Sequence, residues 1–491
     1  MTDARLGKPP AERLLEYVHG PRLIEEKKAF YEYNDIDLAH TVMLVEQEVL
    51  SEEDGKAILE GLKEMRELGP DKFPTDPVIG SFLLQVEDYL FSKIGEDIGG
   101  KMHTGRSRID QGATVVRLKC RKGCLNVMDL LLKLQTTMLE LAKQHVGTLT
   151  IFRTHLQHAQ PSTFGHFLVS YLYTFNHDFN RLRDAYARIN LNPLGTAASV
   201  GTSWPLSRSR TTELLGFNDI EVPARRGYAV YDFVAECISA ITIDLANLYD
   251  LATDLYLDST YEFRTAEAGA EYCGSSSIMP QKKNPYGLEA VRRITGTAIG
   301  YLPSTLAQLR GCGTGDAMRG VSIMYSVFDR TTVALDLMQG IMETLTVHKD
   351  RMKELAGSCW ATASNLADTI VRVKGISFRQ AHHVVARLVK NCIEINVSQH
   401  DVTSEMVDRA ALETIGIELS LDAETIKQAL DPEDFLNTRV TEGSCNPREV
   451  ERMIEDMTHM LEQEEGWISK QSQQIDQSHT KLDEAIERIL K

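Results

Sequence analysis

The chain has 491 residues, a formal net charge of −17 and 43% hydrophobic residues. That length suits roughly two to four domains with a sizeable core. So acidic a balance argues against a nucleic-acid or membrane-surface partner, since both want a basic footprint. An anionic small substrate stays open, because it needs only a local basic pocket. The stretch MTDARLGKPPAERLLEY at the start carries no apolar signal core, and no apolar run approaches the roughly 18 residues of a membrane span. The eight cysteines show no CxxC or His/Cys ligand spacing. Cys120 and Cys124, one helical turn apart, read as half-buried thiols. A cytosolic protein without disulfides or a metal is expected.

Residues 1–105 mix short helical patterns with turns. Ser51-Glu52-Glu53-Asp54 is a helix start, with a serine cap and acids in the first turn. Gly69-Pro70 ends that unit, Phe82–Ile94 is amphipathic, and Gly99-Gly100 breaks the pattern. Next comes Lys101-Met102-His103-Thr104-Gly105-Arg106-Ser107-Arg108-Ile109-Asp110-Gln111. Two arginines flank a serine just before a helix. Such a turn is either a solvated basic loop or a carboxylate site, where guanidinium forks and free helix N–H groups converge. Leu131, Leu134, Met138 and Leu141 then keep the three-four spacing of a bundle helix, which is expected to reach about Val146. In Thr154-His155-Leu156-Gln157-His158-Ala159-Gln160-Pro161 two histidines stand three apart, a spacing that fits one helical face. With no acidic or cysteine partner nearby, no zinc pair is expected.

Asn192-Pro193-Leu194-Gly195 to Ser207 reads as a crossover between helices. Tyr231, Val234, Ile238, Ile241, Leu245, Leu248, Ala252 and Leu255 form an a/d seam, which predicts a long helix in a bundle assembled from several subunits. Then comes Cys273-Gly274-Ser275-Ser276-Ser277-Ile278-Met279-Pro280-Gln281-Lys282-Lys283-Asn284-Pro285. Pro280 and Pro285 each remove a backbone donor, so it cannot be a regular helix. Unlike a plain Ser/Gly linker, it sets a dense polar group at fixed spacing behind an apolar pair. Helices are expected over Glu289–Leu309, Phe328–Met342, Asn365–Val373 and Asp422–Leu430, with glycines at 311, 313 and 315 interrupting. Ser377-Phe378-Arg379-Gln380-Ala381-His382 follows a helix-ending Gly375. The charged stretch Pro447–Lys491 reads as a solvated amphipathic helix pair. No GxGxxG or P-loop occurs, so no nucleotide cofactor is expected.

Three of these motifs together resemble the argininosuccinate lyase family of the fumarase/aspartase superfamily. HTGRSR, TH-x-Q-x-AQP and GSSSIMPQKKNP match its motifs, and KGxxFRQAH resembles its C-terminal element. The resemblance implies an all-α, three-domain fold with a long central bundle forming a 20-helix tetramer core. Its divisions would be an N-terminal helical domain over 1–105, the bundle with the catalytic loop over 106–357, and a C-terminal domain with an extended tail over 358–491. It implies elimination of fumarate from an N-substituted aspartate without a cofactor, in a homotetramer whose sites combine several subunits. Ser276 aligns with the family's base. Lys282 and loop N–H groups would stabilise its alkoxide. His155 would be the acid or its relay, paired with Glu289. Arg106, Ser107, Arg108, Thr154, Ser277, Gln281 and Asn284 would bind the substrate.

The parts that read the arginine half depart from the pattern. Ile109 replaces an asparagine, and Asp316, Val321 and Met324 fall where the family carries a Tyr…Gln…Lys set. An acidic-Ile-His element is lost near Phe82-Leu83-Leu84. Losing polar readers weakens recognition of a guanidinium, although Asp316 could meet another cationic group. Argininosuccinate or a different amine adduct therefore both remain open, and a non-catalytic crystallin-like relative is the rival from another class.

Overall fold

A computed structural model describes residues 8–298, 300–310 and 321–491, with the backbone alone at 321 and 322. Among these residues the fold is all-α, and strands are confined to four two-stranded pieces. Local signals account for many helix boundaries. Ser51 accepts the Asp54 N–H at the head of Glu52–Lys72, and Gly69, at φ 74°, is non-helical and ends the first helical unit there, as expected, before a short turn to Lys72. Ser107, with Asp110, and Ser377, with Gln380, each form a capping box. Gly375 ends Ala363–Lys374 in the left-handed region.

Among the described residues three large apolar cores result, with two small clusters around Leu149 and Ile151. The largest joins the helices Arg108–Gln144, Phe164–Ile189, Asp232–Asp258, Tyr286–Ala298 and Val321–Glu343. Its central seam holds: Val234, Ile238, Ile241, Leu245, Leu248, Ala252 and Leu255 are at most 1% exposed. A second core packs Phe30–Glu46, Glu52–Lys72 and Phe82–Ile94 against the first turns of Arg108–Gln144. A third, from Leu366 to Leu430, is helical and separate. Cys120 and Cys124 are fully buried rather than half-buried.

The C-terminal stretch differs from expectation. It is one helix, Pro447–Leu490, and it is not merely solvated. Val450, Ile454, Met457 and Leu461 belong to the bundle core, while Leu482, Ala485 and Ile486 belong to the N-terminal core. Lys56 Nζ donates to the Leu490 carbonyl at 2.5 Å, tying the far end down. An amphipathic stripe is stabilised by whichever apolar surface it meets, and here it meets two.

Asp244, in the middle of Asp232–Asp258, is fully buried, and neither carboxyl oxygen has a partner among the described residues. Burial, and then the nearby Asp178, push its pKa well up. The folded value therefore exceeds the unfolded one of about 3.9. Its contribution to stability is present below about pH 4 and is lost as pH rises toward the folded value. While the folded carboxyl stays protonated, that loss is up to about 1.4 kcal/mol per pH unit. Asp244→Asn is expected to be at least as stable as the parent at pH 7, with a flatter stability profile above pH 5. Thermal unfolding followed from pH 5 to 8 checks this, and a large loss of stability at pH 7 would oppose it.

Candidate active site

The serine-rich stretch folds as a hairpin. Gly274–Ser275 pairs antiparallel with Lys283–Asn284, and the Lys282 N–H closes the turn onto the Met279 carbonyl at 3.1 Å. Two features seat it. The Tyr286 ring lies against Gly274, where a Cβ would come within 2.1 Å of it. Lys283 Nζ donates to the Ala268 carbonyl at 2.8 Å and pairs with Glu267 at 3.3 Å. Burial alone would raise the Glu267 pKa, but Lys283 and His348 outweigh it and hold the carboxyl low. Lys282, one residue earlier, is exposed, and its ammonium has no partner among the described residues.

Within the turn, the Ser276 Oγ accepts the N–H of Met279 at 3.0 Å and of Ile278 at 3.4 Å. Ser277 and Gln281 are exposed beside it, and Asn284 is half-buried in the second strand. Pro285 leads directly into Tyr286–Ala298, whose first turn carries Glu289. Glu289 is exposed and accepts from the Tyr256 hydroxyl at 3.4 Å. The hairpin thus holds Ser276, Ser277, Gln281, Lys282 and Asn284 close together, with Glu289 just behind.

The histidine motif is not helical. Leu149–Thr154 and Gln157–Thr163 form an antiparallel hairpin whose two-residue turn is His155-Leu156. Both turn residues have positive φ, 54° and 59°, as the tight turns that match strand twist require. Neither is glycine, so the tip stores some backbone strain. The one-face reading of the two histidines is therefore corrected. His155 is exposed at the tip with Thr154, whereas His158 is half-buried and faces Ser358 at 3.4 Å. Arg153 anchors the strand by pairing with Asp258 and lying 4.4 Å from the Phe263 ring.

The two arginines of the third motif separate sharply. Arg106 has no exposed side-chain surface, and its Nη1 lies 2.6 Å from Asp37 Oδ1. Enclosed in the N-terminal core against Asp37, the guanidinium is not open to a substrate from solvent, contrary to the binding role expected of it. Arg108 is exposed at the first position of its helix, after the cap Ser107. Asp110, fully buried, shapes this turn. Its Oδ1 accepts the Ser107 N–H at 2.8 Å, and its Oδ2 accepts those of Gly195 and Ala197 at 3.0 and 2.9 Å. The role of Asp110 was open to sequence reasoning through the capping box, but its grip on the crossover loop was not. Ile109 is half-buried, and Met324 is fully buried in the bundle core. Asp316 and the Val321 side chain lie outside the described residues.

No hydrogen bond or ion pair among the described residues joins these three segments. Nor does any group of three or more His, Cys, Asp or Glu among them stand ready to hold a metal.

Comparison with known proteins gives these separated motifs a common frame. A lyase family model matches residues 25–300, and a model for the argininosuccinate lyase C-terminal region matches 360–437. The argininosuccinate lyase of Methanocaldococcus jannaschii is 37% identical over 96% of each chain. The chain belongs to the argininosuccinate lyase family. It is a carbon–nitrogen lyase of the fumarate-releasing kind. Among solved structures, an EDDS lyase variant with bound fumarate is 33% identical, with a TM-score of 0.88 over 99% of this chain and 96% of that one. A class II fumarase from Schistosoma mansoni, at 17% identity, shares the fold with a TM-score of 0.70 over 87% of this chain and 95% of its own.

Proposed function

We propose that the chain catalyses reversible β-elimination of an amine from an N-substituted aspartate, argininosuccinate or a related adduct, with Ser276 as the base. The observation that carries this assignment is the pair of backbone N–H groups directed at the Ser276 Oγ. A serine hydroxyl is a poor base in water. Donors already pointed at the oxygen favour its alkoxide without reorganisation, and the free Lys282 ammonium on the same turn adds charge. Ser276 takes the C–H proton beside a carboxylate. The electron pair spreads onto that carboxylate and then forms the fumarate double bond as the C–N bond breaks. The departing nitrogen is protonated by His155 directly or through a relay, and Glu289 orients the imidazole and raises its basicity. Ser107, Arg108, Thr154, Ser277, Gln281 and Asn284 hold the carboxylates.

No hydrogen bond or ion pair among the described residues joins the three segments, which supports a site completed in a homotetramer by segments from different subunits. The enzyme acts in the cytoplasm. A hairpin as exposed as 275–283 suits a lid that carries the base onto bound substrate.

The test mixes purified protein with fumarate and a panel of amines and looks for adducts by mass spectrometry. In parallel, it follows fumarate release from argininosuccinate with and without a chelator. Turnover in at least one direction, unaffected by the chelator, is expected. No adduct with any amine, together with intact argininosuccinate, would favour the structural, non-catalytic reading.

A further inference from the structure

Beside Arg108 lies a cavity of about 470 Å³ that the reaction chemistry leaves unexplained. It is walled by Leu14, Val78, Ile79 and Leu84, with Lys8, His19 and Arg22 as its other charged or titratable groups. Its size is that of a small-molecule site. Leu14 and Val78 are 42% and 46% exposed, so the apolar surface is open.

The formal charges in the lining itself are all cationic. No carboxylate lines the cavity among the described residues. Two acids border the lining, and both are committed: Glu26 Oε1 accepts from Arg22 Nε at 2.7 Å and its Oε2 accepts the Phe82 N–H at 2.8 Å, while Asp76 Oδ1 accepts the Val78 N–H at 2.8 Å. Lys8 and Arg108 have no acidic partner among the described residues. A guanidinium or ammonium entering here would lose water, find no anion and meet like charge. An apolar group would bury surface against the wall, and a carboxylate would meet the cationic rim.

We infer that this cavity receives the amine-side substituent of the adduct, and that the amine is an α-amino acid with an uncharged aliphatic or aromatic side chain. The inference rests on the lyase reading above and narrows its substrate. One bond is exchanged, as in the parent reaction: the amino nitrogen adds to fumarate, or leaves it, and the proton moves between carbon and Ser276.

The experiment offers fumarate with leucine, phenylalanine, arginine and putrescine to the full chain and to Leu14→Glu and Leu14→Gln. The wild type is expected to form the leucine and phenylalanine adducts in preference to the other two. Leu14→Glu places an anion in the wall and should raise the arginine-to-leucine ratio about tenfold, while Leu14→Gln should not. A dominant arginine or putrescine adduct in the wild type, or an unchanged ratio in Leu14→Glu, overturns this inference and leaves the lyase intact. Absence of every adduct, with argininosuccinate uncleaved, overturns the lyase reading as well.

Discussion

Ser276→Ala is expected to lower kcat for fumarate release by about 10²- to 10⁴-fold, the range for removing a positioned acid or base. The far-UV spectrum and thermal midpoint should stay close to those of the parent. The side chain is part-exposed, and its Oγ contacts only two N–H groups of its own turn, so little folding energy depends on it. Those N–H groups are exposed to solvent in the free hairpin, and water can replace the lost acceptor. Ser277→Ala serves as the control: Ser277 is also exposed on the turn, but no N–H group of the turn donates to its side chain among the described residues, and a smaller loss is expected. If both variants lose activity equally, or Ser276→Ala retains it, the base is elsewhere.

The second large effect concerns stability, and it divides the two arginines. Arg106→Leu should destabilise the fold by about 3–5 kcal/mol, the cost of leaving one member of a buried ion pair alone. Asp37 would remain sealed in the N-terminal core with only the Gln111 amide, at 2.7 Å, on its Oδ1. Burial already pushes the Asp37 pKa up, and Arg106 is the main group opposing that shift. Arg108→Leu should leave the thermal midpoint nearly unchanged but lower kcat/KM by about 10- to 100-fold, the worth of one charge-assisted hydrogen bond to a carboxylate. Unfolding and steady-state kinetics on both variants check this. Similar effects from the two substitutions would contradict the division of roles.

The amino-acid sequence by itself determined what depends on neighbours a few residues apart. The Ser51 cap, the Gly375 stop and the seam from Val234 to Leu255 are short-range patterns, and they appear in the fold where they were expected. The polar loop with its two prolines was legible as a non-helical element, and three motifs together identified a family that comparison then established. Residues brought together from distant parts of the chain were decided only by the tertiary structure. Arg106 and Arg108 look alike in sequence, but only the fold places Asp37 beside the first and solvent beside the second. His155 and His158 have helical spacing, yet strand pairing between Leu149–Thr154 and Gln157–Thr163 overrides it and forces two residues into left-handed backbone. The stripe on Pro447–Leu490 announced an apolar face without saying what covers it. Two separate cores share that face, because one long helix can span both. Periodicity specifies which side of an element is apolar, whereas packing among distant segments specifies what that side meets.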